Sequence, residues 1–131
     1  MKFSAHLQND LNHQEVILKV GEKEQTLSIA PKSTGGSSIS GGELLILALA
    51  TCFCNDIYRE AAKRDINVER VEVEVKGDFD TERKPASNII YHVNVKAGAS
   101  EEKIQELIVY VDSIAEIQNT VRYGTSVTLE I

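Results

Sequence analysis

The sequence predicts an α+β fold in which antiparallel sheets surround one long buried helix. Three observations lead to this prediction. First, residues 44–54 are apolar or nearly so at every position, which is typical of a helix buried on all sides. Second, segments before and after this helix alternate apolar and polar residues with a period of two, which predicts half-buried strands. Third, residues 104–111 carry one apolar stripe at helical spacing, which predicts a second helix.

The first thirty residues predict an antiparallel meander of three strands. Phe3, Ala5 and Leu7 alternate with polar residues in the first strand. Residues 16–20 and 25–30 predict the second and third strands. The loop that follows is rich in glycine and serine but lacks the G-x-x-x-x-G-K-[ST] pattern of a nucleotide-binding loop, so we interpret it as a flexible connection.

The central helix is predicted to begin at Ser40, because Ser40 and Glu43 fit the S-x-x-E capping box. No residue breaks the helical pattern before Asp65. The 11 residues of this apolar or nearly apolar run, 44–54, are too few to span a bilayer, which needs about 20. A helix of this kind needs cover on all sides, which one small sheet and one further helix do not supply. We therefore predict a symmetric homodimer with residues 44–54 at or near the interface.

The central helix also carries both cysteines. At helical spacing Cys52 shares a face with Asp56 and Arg59, whereas Cys54 points about 200° away, so the two sulfurs cannot bond to each other while the helix is intact. Cys54 is interpreted as a buried core cysteine. For Cys52 the residues alone leave two interpretations open, an inert core thiol and a reactive one.

The rest of the chain predicts strands, a helix and a last strand. Ser100 is the predicted N-cap of the second helix, which the acidic residues after it favour. The predicted elements after the central helix are strands at 71–75 and 91–95 joined by a hairpin loop at 80–87, the helix after Ser100, a short helical turn at 115–122 and a strand at 127–131.

Length and composition limit the classes of protein to which this chain can belong. The length of 131 residues predicts a single domain, residues 1–131. With 14 basic and 20 acidic residues the net charge is −6 and no basic patch is present, which argues against a nucleic-acid partner. The start lacks the apolar core of a secretory signal, and two unpaired thiols favour a reducing, cytoplasmic setting without membrane attachment. No metal-ligand spacing is present, so neither a metal nor a cofactor is predicted.

Three segments resemble the osmotically inducible protein C and organic hydroperoxide resistance (OsmC/Ohr) family. These segments are GGELLILALATCF at 41–53, AAKRDINVERVEVEVKGDF at 61–79 and IQNTVRYGTSVTLEI at 117–131. The first is similar to the family's E-L-L-x-x-A-L-A-[AS]-C-F helix. The resemblance implies an OsmC-like fold, an intertwined α+β homodimer with the central helix between subunits. It also implies reduction of organic hydroperoxides at a reactive cysteine, which Cys52 matches, with a thiol reductant.

This chain departs from the family's pattern at the residues that support the reactive cysteine. The family's second cysteine aligns with Ala115, and its glutamate aligns with Gly42, directly before Glu43. The family's arginine comes from the first strands, but this chain has no arginine before Arg59. Glu43, Asp56 and Arg59 are therefore the candidate supporting residues, and the further candidate cations are lysines 19, 23 and 32.

Two functions from different classes follow from these residues. One is a thiol peroxidase that reduces organic hydroperoxides by a one-cysteine mechanism, in which Cys52 becomes a sulfenic acid and a soluble thiol reduces it. The other is a non-catalytic dimeric module that binds a small apolar ligand in the dimer cavity near Cys52. The state of the Cys52 thiol distinguishes them, because a peroxidase needs the thiolate.

Overall fold

The computed structural model describes residues 1–131. Strands and helices are both present, which confirms the predicted α+β class, and the chain forms two compact units, Met1–Leu44 and Leu45–Ile131. The elements in chain order are β1 (Phe3–Asn9), β2 (Gln14–Val20), β3 (Lys23–Thr26), α1 (Gly41–Lys63), β4 (Val68–Asp78), β5 (Ser87–Ala97), α2 (Glu101–Ile114) and α3 (Glu116–Tyr123).

Strands β1, β2 and β3 form the predicted antiparallel meander, with β2 in the middle. Leu7 of β1 lies opposite Val16 of β2. Strand β3 is shorter than predicted and ends at Thr26. The half-burial expected for β1 is wrong, because Phe3 and Leu7 are exposed. No second layer of this unit covers their face of the sheet.

The glycine-rich loop before α1 is tied to the end of β1. The Asn9 side chain donates to the Gly36 carbonyl and accepts from the Gly36 amide, both at 3.1 Å. Gly35 and Gly36 have φ angles of 98° and 87°, which glycine adopts without the steric cost of a Cβ. The loop expected to be a flexible connection is thus a turn fixed by hydrogen bonds.

Helix α1 begins where the capping box predicts. The Ser40 hydroxyl accepts from the Glu43 amide at 3.1 Å, and the Glu43 carboxylate accepts from the Ser40 amide at 2.6 Å. These bonds satisfy two N–H groups that would otherwise be left free near the helix start. The helix runs without a break to Lys63, and Asp65, with a φ of 55°, turns the chain away.

In the single chain α1 is buried on one face, so the expected burial on all sides is not met within one copy. Leu49, Phe53 and Ile57 are buried, whereas Leu47 is 59% exposed. By length and composition the 23-residue helix could cross a membrane, which corrects the prediction that its apolar run is too short. Core helices of soluble proteins pass the same test, and the buried face of α1 packs into a protein core.

Strands β4 and β5 form the second predicted pair, a long antiparallel hairpin. The register places Val71 opposite Val95 and Val73 opposite Val93, so valines line one face of the hairpin while charged and polar residues line the other. Helix α2 follows, and its predicted cap is confirmed, since the Ser100 hydroxyl accepts from the backbone amide of residue 103 at 3.3 Å.

The core of the second unit joins α1, β5 and α2. The residues that α2 contributes to this core include Ile104, Leu107 and Val111, which belong to the apolar stripe predicted from the sequence. The buried members of this core are Phe53, Ile57, Ala61, Ile66, Val95, Ile104, Leu107, Val111 and Ala115.

The end of the chain differs from the prediction. The predicted helical turn is a full helix, α3, which ends at Gly124 in the left-handed conformation with a φ of 64°. The predicted last strand is absent, since residues 125–131 form neither helix nor strand and Val127 and Leu129 are 96% and 83% exposed. A strand needs a neighbour that pairs with its backbone groups, and no strand of this chain lies beside this segment.

Candidate functional site

The candidate site is centred on the half-buried thiol of Cys52, in the middle of α1. Its sulfur donates to the Asp56 carboxylate, with 3.7 Å between Sγ and Oδ2. Burial raises the pKa of Cys52 above the ordinary value of a thiol, and the negative charge of Asp56 raises it further. Backbone N–H groups of Ile117 and Glu116 interact with the sulfur and act in the opposite direction.

Asp56 is bound on its other side by Arg59. The distance between Arg59 Nη2 and Asp56 Oδ1 is 2.7 Å, and the carboxylate is buried while the guanidinium is largely exposed. The charge of Arg59 is thus paired with a carboxylate one turn from Cys52. Arg59 therefore stabilises Asp56 directly and Cys52 only through it.

Glu43, the third supporting candidate, lies at the start of α1, about 13 Å along the axis from Cys52 at a rise of about 1.5 Å per residue. Its carboxylate is engaged in the capping box, and the backbone N–H of Ser40 lowers its pKa. Glu43 is thus a helix cap and not part of the Cys52 cluster. Of the candidate lysines, Lys19 is paired with Glu24 at 3.2 Å.

The start of α3 contributes the part of the site that the sequence reasoning missed. Ala115 is fully buried and is the N-cap residue, but it has no side chain that can cap the helix. The first backbone N–H groups of α3 are therefore available to the Cys52 sulfur. Gln118, in the same turn, is buried and its Nε2 donates to the Leu49 carbonyl of α1 at 2.9 Å. The one signal in the sequence was the predicted helical turn at 115–122.

A second set of hydrogen bonds holds α3 in place. The Tyr91 hydroxyl donates to Asp112, and Arg122 forms an ion pair with the same carboxylate at 2.5 Å. Burial, followed by the bond to Asp112, raises the pKa of Tyr91. Although burial opposes it, the hydrogen bonds from Tyr91 and Arg122 lower the pKa of Asp112. The Tyr91 ring packs edge-on against Phe53 with 5.0 Å between centroids, so this network adjoins the residue that follows Cys52.

Cys54 lies on the other face of α1, as predicted. Both cysteines are free. Cys54 is only half-buried rather than fully buried, which corrects its interpretation as a plain core residue. It lines an open cavity of about 280 Å³ together with Ala50, Thr51, Asn55, Val71 and Val73.

No group of three or more histidine, cysteine and carboxylate side chains is placed to hold a metal ion. The groups present at the site are one thiol, a carboxylate, an arginine and two backbone N–H groups.

Residues 34–130 match the model of the family described as OsmC-like protein. This match confirms the resemblance seen in the sequence. A comparison with curated proteins found no match.

Solved structures share the fold along almost the whole chain. The OsmC like protein from Mycoplasma pneumoniae is 21% identical with a TM-score of 0.64, covering 95% of this chain and 91% of that one. The organic hydroperoxide resistance protein OhrB of Bacillus subtilis is 17% identical with a TM-score of 0.55, covering 99% and 97%. An OsmC-like hydroperoxide resistance protein from Jannaschia sp. CCS1 is 15% identical with a TM-score of 0.54, covering 94% and 85%. At these identities the likeness shows the fold alone.

Proposed function

Because this chain belongs to the OsmC-like protein family, we propose that it reduces organic hydroperoxides through Cys52, with a soluble thiol as the reductant. Structures of the same fold carry the name of hydroperoxide resistance proteins. The observation that carries the proposal is the placement of the Cys52 sulfur between a proton acceptor, Asp56, and the backbone N–H groups at the start of α3.

The first half of the reaction follows from this placement. The Cys52 thiol passes its proton to the Asp56 carboxylate, which already accepts its hydrogen bond. The thiolate, stabilised by the N–H groups of Glu116 and Ile117, attacks the terminal oxygen of the hydroperoxide. The O–O bond breaks as the S–O bond forms, and the leaving alkoxide takes the proton from Asp56. The products are an alcohol and the sulfenic acid of Cys52.

The second half of the reaction requires an external reductant. Cys54 is the only other cysteine, and it lies on the opposite face of α1. A first soluble thiol therefore attacks the sulfenic acid sulfur, releases water and forms a mixed disulfide. A second thiol then attacks the mixed disulfide, which restores the Cys52 thiol and releases a small disulfide. Such thiols are abundant in the cytoplasm, where we place this activity.

We further propose that the working form is a homodimer. Leu47 on α1 and the apolar residues of the segment 125–131 are exposed in the single chain, and a second copy is the simplest cover for them. A dimer would also supply a strand for the unpaired segment.

One observation favours the second candidate function, a non-catalytic module that binds a small apolar ligand in the dimer cavity. Peroxidases need a thiolate, whereas burial and the Asp56 charge raise the pKa of Cys52. If proton transfer to Asp56 does not occur, the thiol stays protonated and inert.

Intact-protein mass spectrometry tests the proposal. The native chain, Cys52→Ser and the matched control Cys54→Ser are exposed to stoichiometric cumene hydroperoxide with dimedone present. We expect one dimedone adduct on the native chain and on Cys54→Ser, and none on Cys52→Ser. The same three proteins should consume hydroperoxide with excess dithiothreitol in the same pattern. Absence of both the adduct and turnover in the native chain would reject the peroxidase and favour the binding module.

A further inference from the structure

Gln118 is a buried polar residue that the mechanism above does not use. It is 4% exposed, and its Nε2 atom donates to the Leu49 carbonyl at 2.9 Å. In a helix, the side chain at position i+3 lies beside the carbonyl of residue i. The Gln118 amide, bound to the Leu49 carbonyl, therefore lies beside Cys52.

The other amide atom of Gln118 has no partner. Oε1 is buried and accepts no hydrogen bond, which is a costly state for a buried acceptor. The resting thiol does not supply the missing donor, because the Cys52 hydrogen is directed to Asp56. Gln118 therefore presents a free acceptor in the first turn of α3. The first N–H groups of the same helix interact with the Cys52 sulfur.

A sulfenic acid at Cys52 carries an O–H group, which is the hydrogen-bond donor that Gln118 Oε1 lacks. We propose that Gln118 holds the sulfenic acid form of Cys52: its Oε1 accepts the S–O–H hydrogen, while the N–H groups of Glu116 and Ile117 donate to the sulfenic oxygen. The inference rests on the proposed function for the reaction that forms this species. In that reaction the terminal oxygen of the hydroperoxide keeps its hydrogen and becomes the sulfenic O–H, and the thiol hydrogen leaves with the alcohol.

This role has a chemical purpose in a one-cysteine mechanism. No second cysteine of the chain shares the face of α1 that carries Cys52, so the sulfenic acid must persist until a soluble thiol arrives. During that time a further peroxide can oxidise it irreversibly to the sulfinic acid. A hydrogen bond to the sulfenic O–H favours the persistent state.

The lifetime of the sulfenic acid tests the proposal. The full chain is oxidised with hydrogen peroxide, desalted, and mixed with dimedone after increasing delays, and intact mass gives the fraction that is still trappable. We expect Gln118→Met to shorten this lifetime about fivefold or more, the loss expected for one hydrogen bond. The matched control is Gln105→Met, the same substitution at an exposed glutamine bound only to Glu101, which should leave the lifetime unchanged.

A second variant covers the case in which Gln118→Met does not fold, as judged by circular dichroism. Gln118→Asn keeps the amide but withdraws it by one methylene, so it should also shorten the lifetime. Equal lifetimes in the native chain and in a folded Gln118 variant would overturn the proposal, as would the failure of Cys52 to form any sulfenic acid with hydrogen peroxide. If cumene hydroperoxide leaves Cys52 unchanged while the difference in lifetime persists, the peroxidase function fails and this inference stands.

Discussion

The reactivity of Cys52 depends on a few groups around its sulfur. Burial and the Asp56 carboxylate raise the pKa of the thiol, and the N–H groups of α3 oppose them. Because the net effect is a raised pKa, the thiol is protonated at neutral pH. Its alkylation rate should therefore continue to rise with pH beyond the ordinary thiol pKa of about 8.5.

Removal of the Asp56 charge should make Cys52 more reactive. Asp56→Asn deletes a negative charge that raises the pKa of Cys52 and leaves Arg59 without its partner. We expect alkylation by iodoacetamide at about pH 7.5 to become at least about threefold faster, since a fall of one pKa unit corresponds to about tenfold more thiolate below the pKa. Glu106→Gln, an exposed acidic residue on α2, is the control. An unchanged rate in Asp56→Asn would show that Asp56 does not control the thiol. A slower rate would show that its role as proton acceptor outweighs the effect of its charge.

Ala115 is the residue that the resemblance in the sequence aligns with the family's second cysteine, and its surroundings in the structure make that alignment testable. Ala115 is buried and immediately precedes Glu116, whose backbone N–H interacts with the Cys52 sulfur. We expect Ala115→Cys to form an intrachain disulfide with Cys52 after hydroperoxide treatment. Intact mass should then show the loss of both thiol hydrogens and no dimedone adduct. Persistence of the adduct would place the two sulfurs out of bonding range.

At the scale of elements, the start of α1 depends on its capping box. Ser40→Ala removes the hydroxyl that accepts from the Glu43 amide, and we expect a loss of about 1 kcal/mol of unfolding free energy. The midpoint of thermal unfolding should fall by about 3–5 °C in circular dichroism. Ser38→Ala is the matched control, because only the backbone of Ser38 forms a hydrogen bond. An equal midpoint for the two variants would contradict a stabilising cap.

Helix α3 is short, and its position comes from side chains outside it. The ion pair of Arg122 with Asp112 ties it to α2, and the bond from Gln118 to Leu49 ties it to α1. Tyr91 of β5 donates to the same Asp112 carboxylate and so supports the first of these contacts. An isolated helix of this length is not stable in water. These contacts therefore decide where its first N–H groups point, and so decide which donors the Cys52 sulfur receives.

At the scale of the whole molecule, the exposed apolar residues predict self-association. We expect light scattering to find a particle of two 14.5 kDa chains at micromolar concentration. Leu47→Glu places a charge on the exposed side of α1 and should shift the population toward the monomer. Val109→Glu makes the same change at an exposed residue of α2 and should leave the dimer intact. A monomeric native chain would refute the homodimer.

Much of the fold could be predicted because its signals are local. The period-two strands, the S-x-x-E cap of α1 and the Ser100 cap of α2 depend on residues close together in the chain. The predictions that failed concern the exposure of side chains and the pairing of strands. The face of β1 expected to be half-buried is exposed, and the segment 125–131 is unpaired. These properties depend on which surface or strand lies alongside, and no local pattern contains that information.

The candidate site likewise has one part that local sequence patterns predict and one part that they do not. The sequence by itself determined that Cys52, Asp56 and Arg59 share a face of α1, since the helical repeat places residues three and four apart together. Only the tertiary structure decided that the start of α3 and Gln118 lie against that face. Gln118 and Leu49 are 69 residues apart, and contacts over such a distance are set by the packing of whole elements. The thiol's position was therefore readable in the sequence, whereas its hydrogen-bonding partners from α3 were not.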